Sequence, residues 1–374
     1  MLRDFRNYGE AQVEPGATLN VFTGPNGAGK TNLLEAASML SPGRGLRNAA
    51  FESLARVGGS GQWTVAARIA GPGGEISLGT DWAAAEDADG RTGSRRVSID
   101  GVMQKSSGPL GEYVAVLWLT PAMDRLFAGP AAERRRFFDR LVLAIDPSHG
   151  TRVSTYERLM RERNRLLQDP QPDRAWLDSV ELQMVEAGTA IAAARRDAVL
   201  RLKPYLDQGS TLSGDPFPWA ELALEGTVEG LLESNSAVQA EEHYRRMLAD
   251  SRRLDATTGR TATGPHRSDL KVVHGPKSEP AETCSTGEQK ALLVALVVAH
   301  ARLVRGSGAG HPPILLLDEI AAHLDQRRRE GLFALLHGLG CQVWMTGTDV
   351  GLFETIRNLA SFFTVEVGRV ERAA

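Results

Sequence analysis

Cysteine is nearly missing: Cys284 and Cys341 are the only two in 374 residues, too few for a disulfide framework or a four-ligand zinc site. Their scarcity fits a reducing compartment, and no metal cluster is expected. Long apolar runs are missing as well. The longest, Ala291 to Ala299, lies between Lys290 and His300 and is too short to cross the roughly 30 Å core of a bilayer as a helix. Charge enters at Arg3, so the start does not read as a secretion signal, and a cytoplasmic protein with no membrane partner is expected. Neither an internal repeat nor a heptad stretch long enough for an extended coiled coil is present. Lysine is scarce too, at six of 43 basic residues. That arginine excess suits phosphate chemistry but follows equally from genomic base composition. What remains is ordinary globular material, 42% hydrophobic and 24% charged with a formal charge of −3, long enough for two or three units at about 150 residues each.

The texture changes along the chain. Short apolar runs at Thr18 to Phe22, Trp63 to Ile69 and Val114 to Leu119, separated by turns such as Gly71-Pro72-Gly73-Gly74, predict a strand-rich lobe. From about Ala122 to Thr258 helical spacing takes over, as in Phe137, Leu141 and Ile145, with breaks at Pro147, Pro170-Gln171-Pro172 and Gly214-Asp215-Pro216. Beyond Pro265 strands and helices alternate: Leu270 to Val273, a helix over Glu288 to Leu303, Ile314 to Leu317, a helix from Gln326, and Gln342 to Met345. The pattern predicts an α/β protein in which residues 1–121 and 259–374 form one domain and 122–258 a mainly helical insertion.

Gly24-Pro25-Asn26-Gly27-Ala28-Gly29-Lys30-Thr31 fits the G-x-x-x-x-G-K-[ST] phosphate loop, with a predicted strand before it and a predicted helix from Asn32 after it. Its glycines let successive backbone N–H groups face one point, Lys30 reaches outer phosphates, and Thr31 offers a hydroxyl to Mg²⁺. ATP and Mg²⁺ are therefore the expected ligands. Ile314-Leu315-Leu316-Leu317-Asp318-Glu319 supplies the partner strand. Asp318 would share the metal with Thr31, and Glu319 would polarise a water for attack on the γ-phosphate, which favours hydrolysis over storage. Between them, Ser285-Thr286-Gly287-Glu288 reads either as a second anion site completed by another subunit or as an ordinary capping box in which Ser285 and Glu288 pair.

Together the cradle, Ser285-x-Gly287-x-Gln289 and Leu324-Asp325 resemble an ABC-type ATPase head, here a mixed β lobe plus a parallel-sheet core. More narrowly, three segments resemble the RecF family: Asp4-Phe5-Arg6-Asn7, Thr120-Pro121 followed by Arg135-Arg136-Phe137-Phe138-Asp139, and Gly264-Pro265-His266-Arg267-Ser268-Asp269-Leu270. By that resemblance Ser285, Gly287 and Gln289 would meet the γ-phosphate of ATP held by a second copy. Asp325 would couple the two sites, and Arg6 and Asn7 would lie near the base and sugar. The resemblance also implies an ATP-dependent homodimer on DNA, weak DNA-stimulated hydrolysis, and help for RecO and RecR in loading RecA at single-strand gaps, with support of SOS induction.

Two departures from the family carry expectations of their own. The family usually begins several residues earlier, so either the first strand is clipped, with its edge pairing weakened, or the start codon is misassigned. Thr346-Gly347-Thr348 stands in place of a switch histidine, leaving a hydroxyl that could bridge to phosphate but carries no charge. For DNA, residues 131–165 hold nine arginines against five acids. Arg134, Arg135, Arg136, Arg161 and Arg163 are the candidate phosphate contacts, although close alternation with acids equally describes a solvated helix face. The competing reading is an ABC transporter ATPase subunit, and an SMC or Rad50 head would need longer coiled-coil arms.

Overall fold

The chain opens with a hairpin, β1 (Leu2–Phe5) and β2 (Tyr8–Ala11), turned by Arg6 at φ +55°. β3 (Leu19–Thr23) leads through the glycine loop into α1 (Lys30–Ser38). A meander of β4 (Gln62–Gly71), β5 (Gly74–Ala83), β6 (Ser94–Ile99) and β7 (Val102–Gln104) is followed by β8 (Val116–Leu119). Then come α2 (Ala131–Leu143), α3 (His149–Leu167), α4 (Arg174–Thr211), β9 (Ala220–Glu225), α5 (Thr227–Ser234) and α6 (Ala237–Thr258). β10 (Asp269–His274) and β11 (Glu279–Pro280) lead into α7 (Thr286–Gly306), and the remaining elements are β12 (Ile314–Leu317), α8 (Gln326–Gly338), β13 (Gln342–Gly347), β14 (Ala360–Glu366) and β15 (Arg369–Arg372). This computed structural model describes residues 1–373 apart from 17, 72–73, 85–92, 212–216, 307–312 and 323, with the backbone alone at 208–211. The turns expected at Pro72-Gly73 and Gly214-Asp215-Pro216 lie outside the described residues.

The chain divides into two units, one of Met1–Asp124, Leu212–Phe217 and Leu293–Ala374, the other of Arg125–Thr211 and Pro218–Leu292. In the first, a sheet ordered β15-β14-β3-β13-β12-β8 is parallel except at β15. Its central strands are mostly apolar because both faces are covered, whereas β4 and β5 alternate. In the second sheet, ordered β2-β1-β4-β5-β6-β7, Trp63, Val65, Leu78 and Trp82 point inward and their neighbours outward. One core cluster holds residues of both sheets, including Phe5, Tyr8, Phe22, Trp63, Trp118 and Phe363. The Phe5 ring meets Trp63 edge-on at 5.6 Å, and Phe22 stacks on Phe363 at 4.8 Å, geometries that add to simple burial. β1 is not a weakened edge: Leu2 pairs with Ala11 on one side and Val65 on the other.

The second unit corrects two expectations. Leu270 to Val273 does not rejoin the parallel sheet; β10 pairs along its length with β9, from Asp269 opposite Glu225 to His274 opposite Ala220, in a three-stranded antiparallel sheet. The boundary expected at 259 therefore falls at Leu293. β9 itself lay inside the stretch read as helical, although Ala220-Glu221-Leu222-Ala223-Leu224-Glu225 alternates with period two, a strand signal.

Helices α3, α4 and α6 enclose a separate core of Tyr156, Leu159, Leu177, Met184, Ile191, Tyr244 and Leu248. A charge is sealed within this unit. Arg163 is fully buried, its Nε donating to Glu181 at 2.8 Å and its Nη1 to Asp255 at 2.7 Å and Thr261 at 3.0 Å. Glu181 has a second cation in Arg252, but among the described ion pairs Asp255 meets only Arg163. Arg163→Leu should consequently lower unfolding stability by about 3–5 kcal/mol, the usual cost of stranding a buried charge. Urea denaturation followed by tryptophan fluorescence measures it, and a loss below 1 kcal/mol would mean that the pair is solvated in practice.

Candidate nucleotide-binding site

β3 carries the phosphate loop because it is held on both sides, by β13 and β14, deep in the parallel sheet. Gly24 leaves the strand at φ +158°, and a Cβ there would lie 2.1 Å from the carbonyl oxygen of Val365, so only glycine lets the loop start this close to β14. Gly29 caps α1 at φ +115°, where a Cβ would come within 2.4 Å of Asn7 Nδ2. Pro25, Asn26 and Gly27 form an exposed crest, while Ala28, Gly29 and Lys30 are buried. Lys30 Nζ donates to the carbonyls of Gly24 (2.8 Å) and Pro25 (2.9 Å), tying the crest to the helix start. Burial lowers the Lys30 pKa, and the nearby carboxylates of Glu319 and Asp318 pull it the other way.

The β1–β2 turn lies against this loop. Asn7 Nδ2 donates to Ala28 O at 2.9 Å, Asn32 Nδ2 donates to Asn7 Oδ1 at 2.8 Å, and Tyr8 hydroxyl donates to Gly29 O at 3.0 Å. Arg6, expected near the base, is engaged within the protein. Its Nε and Nη2 grip both oxygens of Glu35 at 2.8 and 2.9 Å, and its Nη1 donates to Ser53 O. Glu35 is fully buried on α1 and also receives Arg47 at 2.7 Å. Two Arg6 nitrogens thus hold α1 to the hairpin, and the third ties the hairpin to the segment of Ser53. Tyr8 and Glu35 escape a sequence reading because a buried tyrosine and a helical glutamate look the same in any core or on any helix face.

The carboxylate end of β12 meets the same loop. Thr31 Oγ1 lies 3.0 and 2.9 Å from the two oxygens of Asp318. Hard oxygen donors from two elements, side by side, suit Mg²⁺, which keeps waters and shares phosphate oxygens instead of needing an all-protein cage. Among the described residues no group of three His, Cys, Asp or Glu could hold a metal alone. Glu319 follows at φ +49°, partly exposed, with its N–H donating to Thr346 Oγ1 at 2.9 Å. The Thr346 hydroxyl donates in turn to Asp318 Oδ1 at 2.7 Å. Asp325 caps α8 by accepting the Arg328 N–H at 2.8 Å.

Comparison with known proteins shows the family. The family described as RecF/RecN/SMC N terminal domain matches residues 1–371. The chain is 53% identical over 371 residues to the DNA replication and repair protein RecF of Mesorhizobium japonicum, covering 99% of this chain and 96% of that protein. The corresponding figures for RecF of Rhizobium etli are 51% over 369 residues, 99% and 96%. It belongs to the RecF family. Among solved structures, the recombination mediator RecF with ATP, of the RecFOR pathway, superposes with a TM-score of 0.84 at 21% identity, covering 100% of this chain and 96% of that one. An Smc head domain from Pyrococcus furiosus gives 0.53 at 14%, over 100% and 94%, which places the fold among the SMC and ABC-type heads.

The remaining RecF-family segments fall in the second unit. Ser285 and Glu288 form the capping box of α7: Ser285 N–H and Oγ donate to Glu288 Oε2 at 3.0 and 2.9 Å. Hydrogen bonds from Lys277 and then Ser285 hold the Glu288 carboxyl down at about 2. Gly287 lies in the first turn of this helix, and Gln289 Nε2 donates to Cys284 O at 2.9 Å.

His266, for which the sequence offered no chemistry, has a definite place here. Its Nε2 faces the carbonyl of Thr261 at 3.0 Å, which can only accept, so Nε2 carries hydrogen and a neutral ring accepts the Tyr156 hydroxyl at Nδ1, 2.9 Å away. Burial first, and the positive charge of Arg267 and Arg135, lower its pKa, consistent with that neutral form. Gly264, at φ +145°, is needed because a Cβ would come within 2.1 Å of the Tyr156 oxygen. Arg195 then grips Asp139 at 2.8 and 2.9 Å and also donates to Pro265 O, linking this turn to α2 and α4.

The five candidate DNA arginines divide accordingly. Arg163 is sealed in its core, and Arg134 is buried against Asp269 at 2.7 and 2.8 Å; neither is available to a phosphate. Arg135 donates to Ser268 O and is partly exposed, whereas Arg136 and Arg161 are exposed. Among the described residues no helix is long and apolar enough to cross a membrane.

Proposed function

We propose that this RecF-family chain is an ATP-dependent DNA-binding protein of replication and recombinational repair. In this reading ATP closes two copies over duplex or gapped DNA, and slow hydrolysis, weakly stimulated by DNA, releases them. The observation that carries it is the placing of Thr31, Asp318 and Glu319 together at the end of a glycine cradle, which supplies hydroxyl and carboxylate groups that hydrolysis uses. Lys30 and the loop N–H groups would bind the phosphates, and Thr31 and Asp318 would hold Mg²⁺, which would supply charge neutralisation. Glu319 takes a proton from a water whose oxygen attacks the γ-phosphorus, while the bond from that phosphorus to the β–γ bridging oxygen breaks to leave ADP and inorganic phosphate. Membership in the RecF family sets the transporter reading aside.

In the dimer, Ser285, Gly287 and Gln289 of one copy would face the nucleotide of the other, with Asp325 between the two sites. Ser285→Arg is expected to leave nucleotide affinity of the monomer within about twofold while preventing ATP-dependent pairing, since it adds bulk and charge at an exposed helix start. Equal loss of nucleotide affinity would put Ser285 in its own subunit's site. Arg136 and Arg161, together with the partly exposed Arg135, are the DNA contacts retained. The solved RecF structures are described as belonging to the RecFOR pathway, which supports RecO and RecR as partners; help in loading RecA at gaps and in SOS induction is part of this proposal by family resemblance.

The test is binding of fluorescent gapped duplex to the Glu319→Gln protein, with and without ATP, over a salt series. Tightening by ATP, with log affinity falling by about 0.9 per log unit of salt for each phosphate contacted, supports the clamp. Nucleotide binding with negligible and unchanged DNA affinity overturns its DNA half.

A further inference from the structure

Thr346 has no part in the reading above, yet the site is knotted at its hydroxyl. It lies on β13, opposite Phe22 of β3, and is fully buried. Packing alone would favour valine there, because a buried hydroxyl is tolerated only when it is bonded. Its two bonds have forced directions. The Glu319 N–H at 2.9 Å can only donate, so the hydroxyl accepts it and directs its own hydrogen to Asp318 Oδ1 at 2.7 Å. Glu319 meanwhile holds φ +49°, a left-handed conformation that a residue with a Cβ keeps only where its surroundings impose it. Asp318 is fixed from the other side by Thr31.

We propose that Thr346 is the positioning residue for hydrolysis: its hydroxyl pins the Glu319 backbone in the left-handed turn, aims that carboxylate, and orients Asp318 toward Thr31. The inference rests on the ATPase reading. A hydroxyl in this place serves as a fixed joint, whereas a histidine would bring a titratable charge.

Full-length Thr346→Val and Thr346→Ser proteins test it. Valine keeps the volume and removes both bonds; serine keeps the bonds. Thr346→Val should bind ATP within about twofold of the parent and lose about a hundredfold in kcat, the size of effect a small misplacement of a catalytic group produces. Thr346→Ser should recover most of that loss. Independently of turnover, hydrogen exchange in the protein without nucleotide should show the Glu319 amide protected in the parent and in Thr346→Ser and exchanging at least tenfold faster in Thr346→Val. Parental kcat in Thr346→Val, an equal fall in affinity and kcat, or unchanged amide exchange would each overturn the proposal. A parent protein that binds ATP without hydrolysing it would instead overturn the ATPase reading, and the exchange data would still decide whether Thr346 holds the turn.

Discussion

Replacing Lys30 with methionine is expected to abolish ATP binding and, with it, ATP-dependent pairing. Methionine is close to lysine in length and suits a helix, so the helix and the sheet should survive. What disappears is the charge. Lys30 Nζ is anchored to the carbonyls of Gly24 and Pro25 and faces the electrostatic influence of Asp318 and Glu319. Those two carboxylates would then stand beside an incoming polyphosphate with no cation from the protein to offset them. Truncating one member of a buried charge pair typically costs about 2–5 kcal/mol, which is roughly thirtyfold to several thousandfold in affinity. Titration with a fluorescent ATP analogue reads this directly. Affinity within threefold of the parent protein would mean that the loop N–H groups bind phosphate without the lysine.

Glu319→Gln should do the opposite: bind ATP, pair, and stay paired. Glutamine has nearly the shape of glutamate but cannot accept the proton of the attacking water, and general-base contributions of about 10²–10⁴ in rate would be lost. The backbone joint should persist, since it is the Glu319 N–H, not its carboxylate, that is bonded to Thr346. Sedimentation velocity with ATP should show a stable dimer for Glu319→Gln where the parent returns to monomer as nucleotide is consumed. A protein that remains monomeric in ATP would overturn the model in which hydrolysis opens the pair.

Much of the nucleotide site was written in short stretches of sequence. The eight residues from Gly24 to Thr31 determine a loop, because glycine allows backbone dihedrals that other residues resist, and apolar runs on each side determine strand and helix. Ile314 to Leu317 determine a buried strand and so bring Asp318 and Glu319 to its carboxyl end. The α7 capping box was equally legible, as three residues of spacing suffice to recognise it. Charge without a visible partner was another matter. Arg134 looked like one cation of a basic patch, but its carboxylate, Asp269, lies 135 positions away. Arg163 likewise finds Asp255 across 92 positions, and Arg6 finds Glu35 across 29. The composition of a segment gives its net charge and says nothing about which of its cations are already neutralised. The domain boundary shows the same limit, since β10 joins the second unit by pairing with β9, an association that neither strand's own pattern contains. Local dihedral preference and periodicity thus determined the phosphate loop and the acid strand from the sequence alone. Tertiary structure decided which arginines stay free, where the units divide, and that the Thr346 hydroxyl joins Asp318 to Glu319, because ion pairing, burial and cross-strand bonding are properties of neighbours that only the folded chain brings together.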